Sequence, residues 1–257
     1  MELVRAAFRA ECAQLTEILS DLDDADLDRP TDCPPWTVRE LISHVRTGAG
    51  RLADMLAAPA PPHAEVDAAG YFGAAKFTPE VDAARIDAAR SDAARSDAAR
   101  SDAARSDAAR SDAARSEAVR VAGGRLGGPP AGRAALAAEF DRAWRAADEA
   151  VGAAPAERVV RTRHGDAMRL TEFLRTRVVE VGVHGLDLAA ALNRPPWLTP
   201  RAAAVIADLL TGGRPVPAEL RWDGLTLIRK TTGRAALTGP EQAAIDAAGF
   251  RWLAFGR

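Results

Sequence analysis

The segment TEFLRTRVVEVGVHGLDLAAALN, from Thr171 to Asn193, decides how the rest of the chain can be arranged. At 100° per residue its apolar side chains gather on one side, which is typical of a helix packed into a core. A second stripe of the same helix carries Glu180, His184 and Asp187. Glu180 and His184 are four residues apart, so their side chains lie about 6 Å apart along the helix axis. Such a pair can hold a divalent cation or form an ordinary intrahelical hydrogen bond, and the spacing alone does not choose between them.

Composition narrows the classes of protein to which the chain can belong. It has 257 residues and a formal net charge of −2, so no overall field favours nucleic acid or an acidic membrane surface. No apolar run approaches the ~18 residues of a membrane span, and the charged, helix-periodic amino terminus is unlike an export signal. We therefore expect a cytoplasmic protein with a small-molecule partner, no nucleic acid and no membrane. Arginine far outnumbers lysine, which indicates a bacterial genome of high GC content.

Two cysteines, Cys12 and Cys33, are too few for a disulfide framework and are wrongly spaced for a CxxC redox or zinc motif. The sequence predicts that both are reduced and take no part in function.

Three further segments have the periodicity of core helices. The second of them opens with Thr37 and Glu40 in the positions of a capping box, so its start is well specified. His44 falls at the edge of the inward face of that helix, where it is either a core histidine satisfied by a hydrogen bond or a metal ligand. The economical arrangement is a four-helix bundle formed by residues 2–20, 37–57, 133–152 and 171–193.

Residues 81–120 form eight pentads, including five identical SDAAR copies from Ser91 to Arg115. A period of five advances 140° around a helix, so no side of this insertion stays apolar. The pattern predicts either a long exposed helix with Asp–Arg pairs three residues apart or a partly disordered segment. In both cases we expect the repeats to contribute no catalytic or ligand-binding residue. Thr78 and Pro79 would begin the helix, and the glycines and prolines of 123–130 would end it.

Between the third and fourth bundle helices, Gly165 and Asp166 form the turn of a predicted small hairpin, after which Thr171 would cap the next helix. His164, beside the turn, is expected to be exposed rather than a ligand, unless the hairpin lies beside the mouth of the bundle and brings it close to the other histidines. After the bundle domain, residues 1–197, the sequence predicts a short helical C-terminal extension, residues 198–257. Capping residues mark its helix ends, and its last residues are expected to pack Trp252 and Phe255 on the bundle. The helix starts are expected at Thr199, Asp223 and Thr238.

Two motifs, PTDCPPWTVRELISHV at 30–45 and LRTRVVEVGVHGLDLAAAL at 174–192, resemble the mycothiol-dependent maleylpyruvate isomerase family of the DinB-like metalloproteins. The resemblance implies a mainly α, DinB-like four-helix bundle in which His44, Glu180 and His184 bind a divalent metal, usually Zn²⁺. It also implies mycothiol as the thiol cosubstrate. Pro35 replaces a glycine common in the family motif. The 61 residues that follow Pro196 are fewer than the family's founding isomerases carry, which leaves the substrate open.

Two imidazoles and one carboxylate would leave a tetrahedral ion one open position, where a thiol would be deprotonated near neutral pH. The expected function is an isomerase-type reaction in which a metal-bound thiolate adds to a small electrophile. A thiol S-transferase for detoxification and a non-catalytic metal- or ligand-binding bundle are the alternatives. Arg177 either holds a substrate carboxylate or is a solvated or salt-bridged arginine. Asp187 either orients a histidine or bonds to an arginine. The sequence leaves monomer and homodimer equally open.

Overall fold

Four long helices pack around a shared apolar interior in the computed structural model, which describes residues 1–73, 79–118 and 132–250. Six further α-helices, a 3₁₀ helix at Ala218–Leu220 and one short antiparallel strand pair complete the described residues. No helix among these residues is long and apolar enough to cross a membrane. The helices are α1 (Glu2–Ser20), α2 (Asp24–Leu27), α3 (Val38–Ala57), α4 (Ala68–Tyr71), α5 (Pro79–Ala118), α6 (Gly132–Ala153), α7 (Leu170–Ala191), α8 (Pro200–Thr211), α9 (Gly224–Thr231) and α10 (Gly239–Ala248), and the strands are β1 (Val159–Arg161) and β2 (Ala167–Arg169).

The bundle consists of α1, α3, α6 and α7, which confirms the predicted mainly helical fold. Helices α1 and α3 each contact both α6 and α7. Phe8, Phe140 and Phe173 are among the largest fully buried side chains, each stabilising the fold by roughly 1.5–3 kcal/mol. The predicted capping box begins α3: Thr37 Oγ1 accepts from the Glu40 backbone N–H, and Glu40 Oε2 accepts from the Thr37 N–H at 2.8 Å. The start of α3 is thus fixed two turns before the position of His44.

Helix α7 is the central element, because residues on nearly all of its sides are buried. It begins at Leu170, one residue earlier than the predicted Thr171 cap. The cap prediction was wrong because strand β2 runs directly into the helix, and the Leu170 N–H donates to the Arg158 carbonyl at 2.7 Å. Close packing extends to its glycines: a Cβ on Gly185 would lie 2.9 Å from Trp197 Nε1. The ionisable groups of α7 are therefore held on a rigid, buried support.

Helix α5 contains the repeats, as predicted, but its first turns are not fully exposed. Ala89 and Ala93 are buried, and Asp92 Oδ2 accepts hydrogen bonds from Ser43 Oγ at 2.8 Å and Thr47 Oγ1 at 3.0 Å of α3. The expectation of a helix exposed along its whole length was therefore wrong for these pentads, because the side chains of α3 offer partners to their charges. The predicted cap at Thr78 and the break at 123–130 lie outside the described residues.

The C-terminal extension begins its helices where the sequence predicts. Thr199, Asp223 and Thr238 each accept a hydrogen bond from a backbone N–H in the first turn of α8, α9 and α10, and Gly212 ends α8 with a φ of 62°. Helix α8 packs on α1 and α7, so the extension lies against the bundle. The predicted packing of Trp252 and Phe255 lies outside the described residues.

Candidate metal centre

His44 of α3 meets Glu180 and His184 of α7 inside the bundle. His44 Nε2 lies 3.6 Å from Glu180 Oε2, and His184 Nε2 lies 3.4 Å from the same oxygen. The two imidazole rings are nearly perpendicular, with centroids 5.4 Å apart. Two helices that are far apart in sequence thus present two nitrogens and one oxygen to a common point.

These three donors fit a small divalent cation. One ligand atom from each residue lies within 4.8 Å of the others. A tetrahedral Zn²⁺ with bonds of about 2.0–2.1 Å would hold its ligand atoms roughly 3.3–3.4 Å apart, close to both nitrogen–oxygen distances. Imidazole and carboxylate ligands suit zinc and several other transition ions, so the donor set indicates the charge and size of the ion better than its identity.

The protonation states of His44 and Glu180 suit metal binding. Burial lowers the pKa of His44 to about 4, against smaller opposing effects of Glu180, so the ring is neutral at pH 7. Burial alone would raise the pKa of Glu180, but hydrogen bonds with both histidines and the charge of Arg177 hold it well below its usual range. A neutral imidazole and an ionised carboxylate are the ligand forms that a cation needs.

His184 is fixed from behind by Asp187. Its Nδ1 lies 2.9 Å from Asp187 Oδ2, and Arg234 clamps the same carboxylate with Nε–Oδ1 and Nη2–Oδ2 distances of 2.9 and 2.8 Å. Burial alone would lower the pKa of His184, but hydrogen bonds with Asp187, Cys33 and Glu180 raise it well above its usual value. Asp187 satisfies both alternatives left open by the sequence, since it bonds to a histidine and to an arginine.

Cys33 and Arg234 are site residues that the sequence reasoning missed. The Cys33 thiol donates to Asp187 Oδ2 at 3.1 Å, so Cys33 contacts the carboxylate that holds His184, and both cysteines are free, as predicted. Its loop precedes α3 and carries no spacing that would predict this contact. Arg234 follows α9 in the extension, 47 residues after Asp187, where no periodicity connects them.

Cys33, His184 and Asp187 form a second group whose ligand atoms lie within reach of one ion. The Arg234 guanidinium already neutralises Asp187, however, and a cation placed there would face this buried positive charge. The geometry therefore favours Asp187 as the group that orients His184 over a role as a metal ligand.

Arg177 lies one turn before Glu180 and is only 5% exposed. Its Nη2 lies 3.8 Å from Glu180 Oε1, and its guanidinium carbon lies 4.7 Å from the ring centre of Phe173. A Cβ on Gly48 would come within 3.1 Å of Arg177 Nη1, so the glycine of α3 leaves room for this guanidinium. Arg175, in contrast, faces away and pairs with Asp208 at 3.4 Å.

Two cavities reach the candidate centre from different sides. The larger, about 670 Å³, is lined by His184, Trp36 and Cys33 together with the extension around Arg234. The smaller, about 220 Å³, is lined by His44 and Glu180. Residues of the candidate centre therefore line both cavities, while His184 Nε2 itself is buried.

The other two histidines differ in position. His164 lines the smaller cavity, with its ring centre 5.7 Å from that of Tyr71, because the hairpin folds over the mouth of the bundle. The expectation that His164 is exposed was therefore wrong, because its side chain is half-buried. His63 is exposed in the loop before α4.

Comparison with protein families matches the chain to the model described as "Mycothiol maleylpyruvate isomerase N-terminal domain". The match covers residues 8–133 and 127–189 and so includes most of α1, all of α3 and nearly all of α7. Comparisons with curated proteins and with solved structures gave no significant match.

Proposed function

The chain belongs to the mycothiol maleylpyruvate isomerase N-terminal domain family, and from this membership we propose that it is a metal-dependent enzyme that uses mycothiol to transform a small electrophile. The observation that carries the proposal is the convergence of His44, Glu180 and His184 within 4.8 Å of one another at the junction of two cavities. A site that served only to stabilise the bundle would not need access from outside.

The roles of the protein groups follow from their positions. A divalent cation held by His44, Glu180 and His184, for which we propose Zn²⁺, would lower the pKa of a bound thiol so that it ionises at neutral pH. Asp187 holds His184 in one orientation. Arg177 offers a buried guanidinium close to Glu180, where it can hold a carboxylate of the electrophile by paired hydrogen bonds.

The larger cavity is the better place for the thiol cosubstrate. Its volume of about 670 Å³ lies within the roughly 300–1,000 Å³ typical of sites for drug-sized ligands, whereas the smaller cavity is below that range. Trp36 lines this cavity, and its ring centre lies 4.6 Å from that of His44.

In the isomerase-type reaction the thiol sulfur adds to one carbon of a conjugated cis double bond, and a proton is taken up at the other. Rotation about the resulting single bond and elimination of the sulfur return the trans isomer, the proton and the thiolate. A transferase would release the adduct instead. The two functions differ in whether mycothiol is regenerated.

The proposal is tested by incubating metal-loaded protein with mycothiol and maleylpyruvate, and then with a panel of small electrophiles. Regeneration of mycothiol with formation of the trans product is the expected result, and stoichiometric loss of mycothiol would instead assign a transferase. His44→Ala should abolish turnover, whereas the exposed His63→Ala is the matched control and should retain it. If no electrophile reacts in the presence of metal and mycothiol, the chain is a non-catalytic binding bundle.

A further inference from the structure

The first pentads of α5 form part of the wall of both cavities that reach the candidate centre. Ile86 lines the larger cavity. Asp87 and Ala94, on the opposite side of the same helical turns, are exposed. These turns therefore lie between the smaller cavity and solvent. The residues of α5 that line the smaller cavity are Arg85, Ala88, Ala89, Asp92 and Arg95, and Arg85 also lines the larger one.

Apolar contacts hold α5 to the bundle only weakly. Among the residues of α5 whose side chains the structure describes, the buried ones are Ala89, Ala93 and Ser96, and its larger apolar side chains are at most half-buried. In α6, by contrast, the buried side chains include Phe140 and Trp144. Three small side chains remove little apolar area from water, so other interactions must keep α5 in place.

Those other interactions are ion pairs between α5 and α3. Their side chains are between 15% and 49% exposed, so salt can screen them. Within the described residues the pairs are Arg39–Asp97 with an Nη1–Oδ1 distance of 3.0 Å, Arg90–Glu40 with an Nε–Oε1 distance of 3.2 Å, and Arg46–Asp92.

The contact between α5 and α3 lies beside a candidate metal ligand. Ser43 and Thr47, which lie on either side of His44 in the sequence, donate hydrogen bonds to Asp92 at 2.8 and 3.0 Å. His44 and Glu180 line the cavity that α5 helps to enclose. Displacement of α5 from α3 would therefore open the cavity on the side of these two residues. Segments with few buried apolar contacts are the ones that open most readily in a folded protein.

We propose that the first pentads of α5, residues 81–97, act as a salt-sensitive lid over the candidate centre. Their ion pairs with α3 keep the smaller cavity closed, and release of these pairs opens it to solvent. Lids of this kind control when a ligand enters or leaves a site without taking part in the chemistry. The inference rests on the proposed function only for the claim that a ligand of the reaction passes through this opening.

Thiol labelling measures how often the lid opens. Ala93→Cys and Ala94→Cys place a thiol at neighbouring positions of one SDAAR copy, the first buried and the second exposed. The ratio of their labelling rates cancels local charge effects. It should rise at least about threefold between about 0.05 M and 0.5 M NaCl, because salt weakens the ion pairs. Peptide mass spectrometry separates the introduced thiols from the two native cysteines. A ratio that does not change with salt would overturn the inference.

A matched pair of double variants tests the ion pairs themselves. Arg90→Gln/Asp97→Asn removes two pairs with α3, leaves the net charge unchanged and alters no residue that lines either cavity. At low salt it should raise the labelling ratio at least about threefold. Asp102→Asn/Arg105→Gln makes the same two changes in an exposed pair within α5 and should stay within about 1.5-fold of wild type. Equal ratios in the two double variants would overturn the inference.

Zinc removal connects the lid to the centre. An excess of a chromophoric chelator should remove zinc from the loaded Arg90→Gln/Asp97→Asn protein at least about twice as fast as from wild type, and from the control variant at the wild-type rate. An unchanged rate in the first variant would overturn the role of α5 in access.

The labelling experiment needs neither metal nor mycothiol, so it is independent of the proposed function. A labelling ratio that responds to salt, together with no reaction of any electrophile with mycothiol, would overturn only the proposed function. Turnover of mycothiol with a constant labelling ratio would overturn only this inference.

Discussion

Helices α7 and α5 both carry many charged side chains, but they place them in opposite environments. On α7, Arg177, His184 and Asp187 are no more than 5% exposed. On α5, the side chains of Asp102 and Arg105 are each 75% exposed. The charged groups of α7 therefore cost the fold stability unless they are paired, whereas the exposed charges of α5 do not.

A buried charge costs several kcal/mol of folding free energy unless it is paired, whereas an exposed pair three residues apart stabilises a helix by roughly 0.2–0.5 kcal/mol. The groups of α7 are compensated only by one another and by residues from distant segments, such as His44 and Arg234. Such an arrangement is expected for a functional site. The charges of α5 need no such explanation except where its first turns meet α3.

The largest effect is expected at Glu180. Glu180→Gln keeps the size of the side chain but removes the negative charge shared by both histidines, so zinc affinity should fall at least about 100-fold, which is roughly 2.7 kcal/mol. Competition with a chromophoric chelator measures this. Glu149→Gln, on the exposed surface of α6, should bind zinc like wild type, and equal affinity in both variants would remove Glu180 from the site.

Asp187→Asn should have two effects. Zinc affinity should fall about 10–100-fold, because an asparagine side chain is a weaker hydrogen-bond acceptor for His184 than the carboxylate it replaces. The variant should also unfold more easily, by about 3 kcal/mol, because Arg234 keeps a buried charge without its counter-ion. Chelator competition and urea unfolding measure the two effects, and a variant with lower stability but normal zinc affinity would limit Asp187 to a structural role.

Metal binding should release a proton from His184. The pKa of this ring is raised in the metal-free protein, so it is charged at pH 7 and a cation must displace the proton. Zinc affinity should therefore increase with pH, by up to about tenfold per unit, until the pH passes the raised pKa of His184. His44, with a pKa of about 4, should release none.

Calorimetry in buffers of different ionisation heat counts the released protons. Asp187→Asn removes the carboxylate that raises the pKa of His184, and its proton release should decrease. A binding heat that does not depend on the buffer would contradict the assigned protonation state.

The smallest effects compare two identical pentads within α5. Asp92→Ala should destabilise the fold by about 1–2 kcal/mol, because Ser43 and Thr47 of α3 lose the carboxylate that accepts their hydrogen bonds. Asp102→Ala changes the same sequence position of another SDAAR copy, where Asp102 forms an exposed ion pair with Arg105 of its own helix, and should cost less than about 0.5 kcal/mol. Urea unfolding measures both, and equal values would show that the docking of α5 contributes nothing.

The sequence predicted the three candidate ligands of the site better than the residues that surround them. The capping box at Thr37 and Glu40 and the helical period of α7 placed His44, Glu180 and His184 on inward faces, because these signals are local. Arg234 and Cys33 could not be predicted, since they reach Asp187 from loops whose paths depend on tertiary packing. The packing of α5 on α3 could not be predicted for the same reason. The repeat has no apolar side, and which of its residues are buried depends on where it contacts α3.

Metal analysis of protein purified without a chelating tag tests the central claim most directly. Wild type should contain about one equivalent of zinc or another divalent transition metal per chain, and His44→Ala should contain less than about a tenth of that. His63→Ala should match wild type. Equal metal content in wild type and His44→Ala, or none in either after zinc is supplied, would contradict a centre built from α3 and α7.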